Sequence, residues 1–190
     1  MQNYKKYTLL FVTIHKTLFV SMFSKNFLLV FCFIFCAFQE TKAQNATLKV
    51  VVFLNTECPI SQKITLSLNQ TKEFFEEETI EWLACFTDAQ ISKKKVQAFN
   101  ETYHFTWNSR QDKRLKSARK LGASITPEVV VLDTKQQIIY QGAIDNWFYE
   151  WGKNRQQPTE FYLRNALQKT LMQQEVFPKK TDAIGCFIEF

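Results

Sequence analysis

The chain has 190 residues, of which 46% are hydrophobic and 15% aromatic, enough for one domain with a substantial core. Four Gly and four Pro exclude collagen-like and low-complexity chains, and no window of eighteen uninterrupted apolar residues marks a long spanning helix. The formal charge of +6 is concentrated early: without residues 1–43, which hold five Lys and one Glu, 147 residues remain with 19 basic and 17 acidic side chains. The balance of about +2 excludes the electrostatic footprint of a nucleic-acid binder, and Lys93-Lys94-Lys95 reads as a solvated helix face.

Eight of the 19 Phe precede residue 44, and the densest stretch, Phe27 to Phe38, reads FLLVFCFIFCAF. It follows Lys25 and ends before Thr41-Lys42-Ala43, where small side chains at the first and third places before a cut suit signal peptidase, so residues 1–43 read as a leader. A start at Met22 gives a shorter leader with the same site, and an uncleaved anchor is the alternative. The expected location is exported, periplasmic or extracellular, with membrane attachment only through an uncleaved leader.

After the leader, strand and helix alternate. Leu48 to Leu54 (LKVVVFL) is a nearly continuous apolar run, as a strand buried on both faces should be. From Pro59 onward Ile60, Ile64, Leu68 and Phe75 recur at helical spacing, and Pro suits a first helical position, whose N–H lacks a partner anyway. Cys58 therefore stands where a strand feeds a helix. Ile80 to Phe86 reads as a second strand, followed by a helix over 91–102, an extended piece at Phe105 to Trp107, and a helix from about Asp112 that Gly122 caps. Glu128 to Leu132 and Gln137 to Tyr140 read as a hairpin, Gly142 to Pro158 as a long loop rich in Trp, Tyr and Asn, and Thr159 to Gln173 as a last helix. Residues 44–176 form one domain, and Phe177 to Phe190 a tethered, mobile tail in which Gly185 frees the backbone beside Cys186; the alternatives are a tail docked on an apolar groove through Phe187, Ile188 and Phe190, or a Cys186 that joins two chains.

An exported chain keeps Cys58, Cys85 and Cys186, too few for a disulfide-stapled scaffold and enough for a redox site. A thiolate at a helix start meets unpaired backbone N–H groups and the positive dipole end, and both lower its pKa below about 8.5. Cys58 is thus the expected nucleophile and the fastest-alkylating thiol. Ser61, one turn on, is placed to donate to its sulfur, whereas Glu57 opposes ionisation if it turns inward. The competing reading makes Cys58 a small buried hydrophobe, which is also the reading favoured for Cys85 inside its strand. No metal or cofactor is expected; a site of Cys58, Cys186 and His104 lacks a ligand spacing to support it.

Strand, Cys at a helix start, further α/β units, then Ile125-Thr126-Pro127 before a β-hairpin and a final helix: this order resembles the thioredoxin-like fold over roughly residues 47–175, an α/β class with a central sheet flanked by helices. TECPISQ, LGASITPEVVVLD, YQGAIDNW, RQQPTEFYLRNAL and the terminal IGCFI resemble exported redoxin-domain proteins related to peroxiredoxins and thiol-disulfide reductases. The resemblance implies an oxidoreductase in which Cys58 matches the nucleophile, Ser61 the place of the second cysteine in Cys-x-x-Cys, and Thr126-Pro127 the cis-proline segment facing it, where a substrate chain binds. Two departures stand out. Cys-Pro-Ile-Ser has no second cysteine, and the places of the peroxiredoxin Thr or Ser and of its Pro hold Asn55 and Val51.

The resulting expectation is thiol-disulfide exchange with protein or small-molecule disulfides and thiols, catalysed by Cys58 and Ser61 and resolved by Cys186 or an outside thiol. A thiol peroxidase and a non-catalytic thioredoxin-fold binding module are the alternatives.

Overall fold

The computed structural model describes residues 47–88 and 90–190. The leader reading of residues 1–43 lies outside them. Among the described residues no helix is long and apolar enough to cross a membrane.

Five strands form the central sheet in the order β3-β2-β1-β5-β6: β1 (Leu48–Leu54), β2 (Ile80–Phe86), β3 (Asn108–Gln111), β5 (Glu128–Leu132) and β6 (Ile138–Gly142). β1, β2 and β3 run parallel, and β5 joins β1 antiparallel before pairing antiparallel with β6. Among the described residues four helices accompany it: α1 (Pro59–Phe74), α2 (Lys93–Thr102), α3 (Lys116–Leu121) and α4 (Tyr162–Leu171). Two short ribbons stand apart, β7 (Phe148–Glu150) with β8 (Lys153–Asn154), and β4 (Ile125–Thr126) with β9 (Cys186–Phe187). This is a thioredoxin-like fold.

The apolar run of β1 follows from burial on both sides. Val50, Val52 and Leu54 enter a large core with Ile64 and Leu68 of α1, Phe99 of α2 and Leu163 and Leu167 of α4, whereas Val51 and Phe53 enter a second core with Cys85, Ala118 of α3 and Ile188. Side chains alternate between the two cores because successive residues of a strand face opposite ways. Gly122 caps α3 in the left-handed conformation, φ 69°, as its position suggests.

The structure corrects two expectations. The third strand is Asn108–Gln111 and not the Phe105–Trp107 piece; those aromatics are core residues, stacked 5.7 Å apart. The strand itself reads NSRQ, because an edge strand has little apolar surface to bury and therefore lacks a hydrophobic pattern. The second correction concerns the tail, which is seated along its length. The Gln141 amide donates to the Lys179 carbonyl at 3.0 Å, the Thr181 amide donates to the Gln141 carbonyl at 3.1 Å, and the Tyr140 hydroxyl lies 2.6 Å from the Thr181 hydroxyl. Gly142, with φ 141°, receives this segment: a Cβ there would overlap the Thr181 backbone. Farther on, β9 pairs with β4, and Ile188, 7% exposed, packs into the second core.

A seated tail contributes to stability and a mobile one does not. Ile188→Ala should lower the unfolding free energy by about 2 kcal/mol in urea titration, the low end for a buried Ile; a loss under about 0.5 kcal/mol, typical of a surface residue, would mean that the tail is loose.

Candidate functional site

Cys58 closes the β1–α1 connection as the residue before Pro59, with extended φ and ψ of −80° and 116°, and its carbonyl accepts the first helical bond from the Gln62 amide at 3.0 Å. The preceding loop is held from several directions. The Asn55 side chain accepts from the Glu57 amide at 2.8 Å, Asp88 accepts from the Thr56 hydroxyl at 2.6 Å and from its amide at 3.0 Å, and the Gln62 side chain donates to the Thr56 carbonyl at 2.9 Å. Glu57 turns outward to Lys95 at 2.9 Å, which removes the carboxylate that would have opposed a thiolate.

Opposite Cys58, the Thr126–Pro127 bond is cis and Thr126 is buried. The Cys58 thiol lies 3.4 Å from the Thr126 carbonyl oxygen. Glu128, buried at the start of β5, accepts from the Ser124 amide at 2.9 Å and the Ile125 amide at 3.4 Å, and from the Gln141 side chain at 2.8 Å, so it holds the loop leading into Thr126.

Cys186 reaches this point through the β4–β9 ribbon, in which Thr126 pairs with Cys186 and Ile125 with Phe187. The Thr126 hydroxyl donates to the Cys186 carbonyl at 3.3 Å, and the Ile188 amide donates to the Ser124 carbonyl at 2.9 Å. Thr126 therefore borders both cysteines, with its carbonyl oxygen at the Cys58 sulfur and its backbone paired with Cys186, and both cysteines are free thiols.

The electrostatics of the two sulfurs diverge. Burial acts to raise the Cys58 pKa, but hydrogen bonds from the Cys186 thiol, the Ser61 amide and hydroxyl and the Ile60 amide outweigh it, so the pKa is lowered. Burial, the hydrogen bond to Cys58 and the Cys58 charge push Cys186 the other way, up to about 12. Of the two, Cys58 is the thiol that ionises first, and Cys186 keeps its proton. Ser61, fully buried, serves twice: its hydroxyl accepts from the Asn55 amide at 3.3 Å, and its polar groups act to lower the Cys58 pKa.

Cys58, Ser61, Thr126, Pro127 and Cys186, the residues singled out in the sequence, thus meet at one place. One property differs from expectation: Cys58 is only 1% exposed, so a small alkylating agent meets Cys186, which is partly exposed, before it meets Cys58. Burial at a helix start was not visible in the sequence because the covering strand comes from 128 residues farther along the chain. Cys85 is fully buried on β2, as read, yet its sulfur also accepts from the Arg110 side chain at 3.3 Å, while burial raises its pKa. His104 lies in an exposed loop with φ 48°, and among the described residues no three metal-ligating side chains converge. In the aromatic loop, Trp147 packs on the main core and donates to the Arg155 carbonyl at 2.9 Å, whereas Tyr149 and Trp151 are exposed.

Sequence reasoning passed over Asp88 and Glu128, since single carboxylates at a loop and at a strand start carry no motif. It also misread Gly185. The backbone there is not left-handed; a Cβ would overlap the Thr126 carbonyl oxygen and lie 3.0 Å from the Pro127 ring, so glycine is required by close approach.

Comparison with known proteins agrees with this architecture. No protein-family model matches the chain, and no curated protein matches it. Among solved structures, a hypothetical protein, SMc02350, from Sinorhizobium meliloti 1021 is 23% identical with a TM-score of 0.68, covering 76% of this chain and 80% of its own. A conserved protein from Geobacillus kaustophilus is 18% identical with a TM-score of 0.65, covering 76% and 78%. The thioredoxin domain of a thiol-disulfide oxidoreductase from Bacteroides vulgatus is 14% identical with a TM-score of 0.46, covering 67% and 79%. The first two likenesses extend to the fold: the chain shares its architecture with both over three quarters of its length.

Proposed function

We propose that the protein is a thiol-disulfide oxidoreductase in which Cys58 attacks and Cys186 resolves. The single observation that carries this reading is that the β4–β9 ribbon pairs Cys186 with Thr126, whose carbonyl oxygen lies 3.4 Å from the Cys58 sulfur at the start of α1, so two free thiols border one residue; the lowered Cys58 pKa and the raised Cys186 pKa agree with it. A disulfide demands short separation, and the ribbon brings Cys186 beside the residue that Cys58 touches. An exported, oxidising setting, read from the apolar stretch before residue 44, suits such chemistry.

The reaction takes two exchanges. The Cys58 thiolate attacks one sulfur of a client disulfide, forms a mixed disulfide and expels the other client sulfur as a thiolate, which takes up a proton. Loss of the negative charge at Cys58 removes part of what held the Cys186 proton in place, the rest being burial. Cys186 then loses that proton and attacks the Cys58 sulfur, forming the Cys58–Cys186 bond and releasing the second client thiol. The client gains two electrons, and the protein becomes the disulfide; an outside dithiol restores it, or the sequence runs in reverse to oxidise a client. Ser61 stabilises the Cys58 thiolate, and Thr126 and Pro127 line the edge on which the client lies. Cys186 supplies the resolving thiol that Cys-Pro-Ile-Ser lacks.

Reduced protein exposed to oxidised glutathione should yield, after digestion without reductant, a peptide joining Cys58 to Cys186. Cys58→Ser should abolish insulin reduction, a loss of at least about 100-fold, and Cys186→Ala should slow turnover about tenfold or more while a Cys58 mixed disulfide accumulates. If Cys186→Ala leaves turnover unchanged, an outside thiol is the resolving group. Consumption of peroxide at a rate exceeding that of disulfide would favour a peroxidase instead.

The pH dependence carries its own sign. A lowered pKa means that Cys58 gains its reactive form below the ordinary thiol value of about 8.5, so its exchange rate should rise with pH and level off earlier than for a free thiol. Cys186→Ala removes the strongest donor to that anion, and the midpoint should move upward; a midpoint that stays put would show that Cys186 does not hold the thiolate.

A further inference from the structure

The tail lies where a client should lie. β9 runs antiparallel to β4 in the backbone pairing a bound chain would adopt, it pairs Cys186 with Thr126, whose carbonyl oxygen lies 3.4 Å from the Cys58 sulfur, and Cys58 is 1% exposed in its presence. Resting on the redox reading above, we propose that this edge binds extended chains of the pattern Gly-Cys-any-apolar, and that Gly185 to Ile188 of the protein's own tail is the resident example which a client must displace.

Each place in the pattern has a separate physical cause. Before the cysteine, a Cβ would overlap the Thr126 carbonyl oxygen, stand 2.7 Å from its carbon and touch the Pro127 ring. These are backbone and ring atoms at the centre of the site, so they have no room to yield, and only glycine enters. The cysteine follows because its sulfur must reach Cys58. Phe187 is 80% exposed, so the next place imposes nothing. Ile188 is 7% exposed in the core with Phe53, Leu115 and Ala118, so an apolar side chain is needed there.

Tethering gives the tail an advantage over any free chain. Its anchor at Gln141 and Gly142 keeps the last residues at an effective concentration that short linkers set in the millimolar range. A client lacking the glycine fails to displace it, and one matching the pattern competes on equal contacts.

The test has two arms, both on the full chain. In the first, reduced Cys186→Ala protein meets five-residue peptides Ile-X-Cys-Phe-Ile whose cysteine is carried as the mixed disulfide with thionitrobenzoate. Cys58 attacks the peptide sulfur, forms the Cys58–peptide disulfide and releases coloured thionitrobenzoate, the better leaving group. With rates normalised to the same peptides reacting with glutathione, the X = Gly peptide should react at least about tenfold faster than X = Val; equal rates overturn the selectivity. In the second arm, Gly185→Val should expel the tail: exchange of the Ile188 amide hydrogen and iodoacetamide alkylation of Cys58 should both rise at least about tenfold, while Cys85 stays protected. Unchanged exchange and alkylation overturn the proposal. If Cys85 becomes reactive too, the variant has unfolded and the peptide arm decides. If no peptide reacts although Gly185→Val exposes Cys58, the redox reading fails and the tail's occupancy of the edge stands.

Discussion

Burying an anion is costly unless hydrogen-bond donors replace the water it loses, and a thiolate at 1% exposure meets that requirement only through its immediate neighbours. At Cys58 the donors are the amides of Ile60 and Ser61, the Ser61 hydroxyl and the Cys186 thiol. The first two exist because α1 begins at this residue and its first N–H groups have no partner within the helix. The third depends on a serine one turn along, and the fourth on a strand from the far end of the chain. Each of the larger features of the fold can be understood as holding one of these donors in position.

The central strand β1 does so by being immobile. Its burial in two cores fixes the point where it ends, and Pro59 then starts α1 with Cys58 at the junction. Thr126 is fixed from the other side by β5, the neighbour of β1, whose first residue Glu128 also ties down the preceding loop. A carboxylate accepting from two backbone amides and one side-chain amide satisfies groups that would otherwise be buried without partners. The tail is fastened at two points, at β6 by the Thr181 contacts and at β4 by the ribbon, and in both places a glycine permits the approach of backbone to backbone.

This arrangement gives the last fourteen residues two roles in one geometry. As part of the fold they cover the outer edge of β6 and bury Ile188 in the second core. As part of the site they deliver a thiol to Cys58 and occupy the edge of β4. The Cys186 proton couples the two, because a negative charge on Cys58 adds to burial in holding it. Formation of a mixed disulfide at Cys58 removes the charge, and the proposed resolving thiol becomes easier to ionise at the step that needs it.

Read alone, the sequence determined the parts whose signals are local. A nearly continuous apolar run of seven residues reads as a strand buried on both faces, Pro after Cys starts a helix, and Gly122 after a short helical stretch is a cap; β1, β2, β5 and the start of α1 were legible for these reasons. The order of motifs likewise pointed to the thioredoxin-like fold and brought Cys58, Ser61, Thr126, Pro127 and Cys186 under suspicion. Only the tertiary structure decided what depends on groups distant along the chain. The edge strand β3 carries no apolar period, since it has one neighbour and little to bury. The burial of Cys58 and the need for glycine at 185 both arise where β4 and β9 meet, sixty residues apart in the pairing of Thr126 with Cys186. No local pattern encodes such a contact, because its energy comes from close approach between two backbones that only the folded sheet brings together.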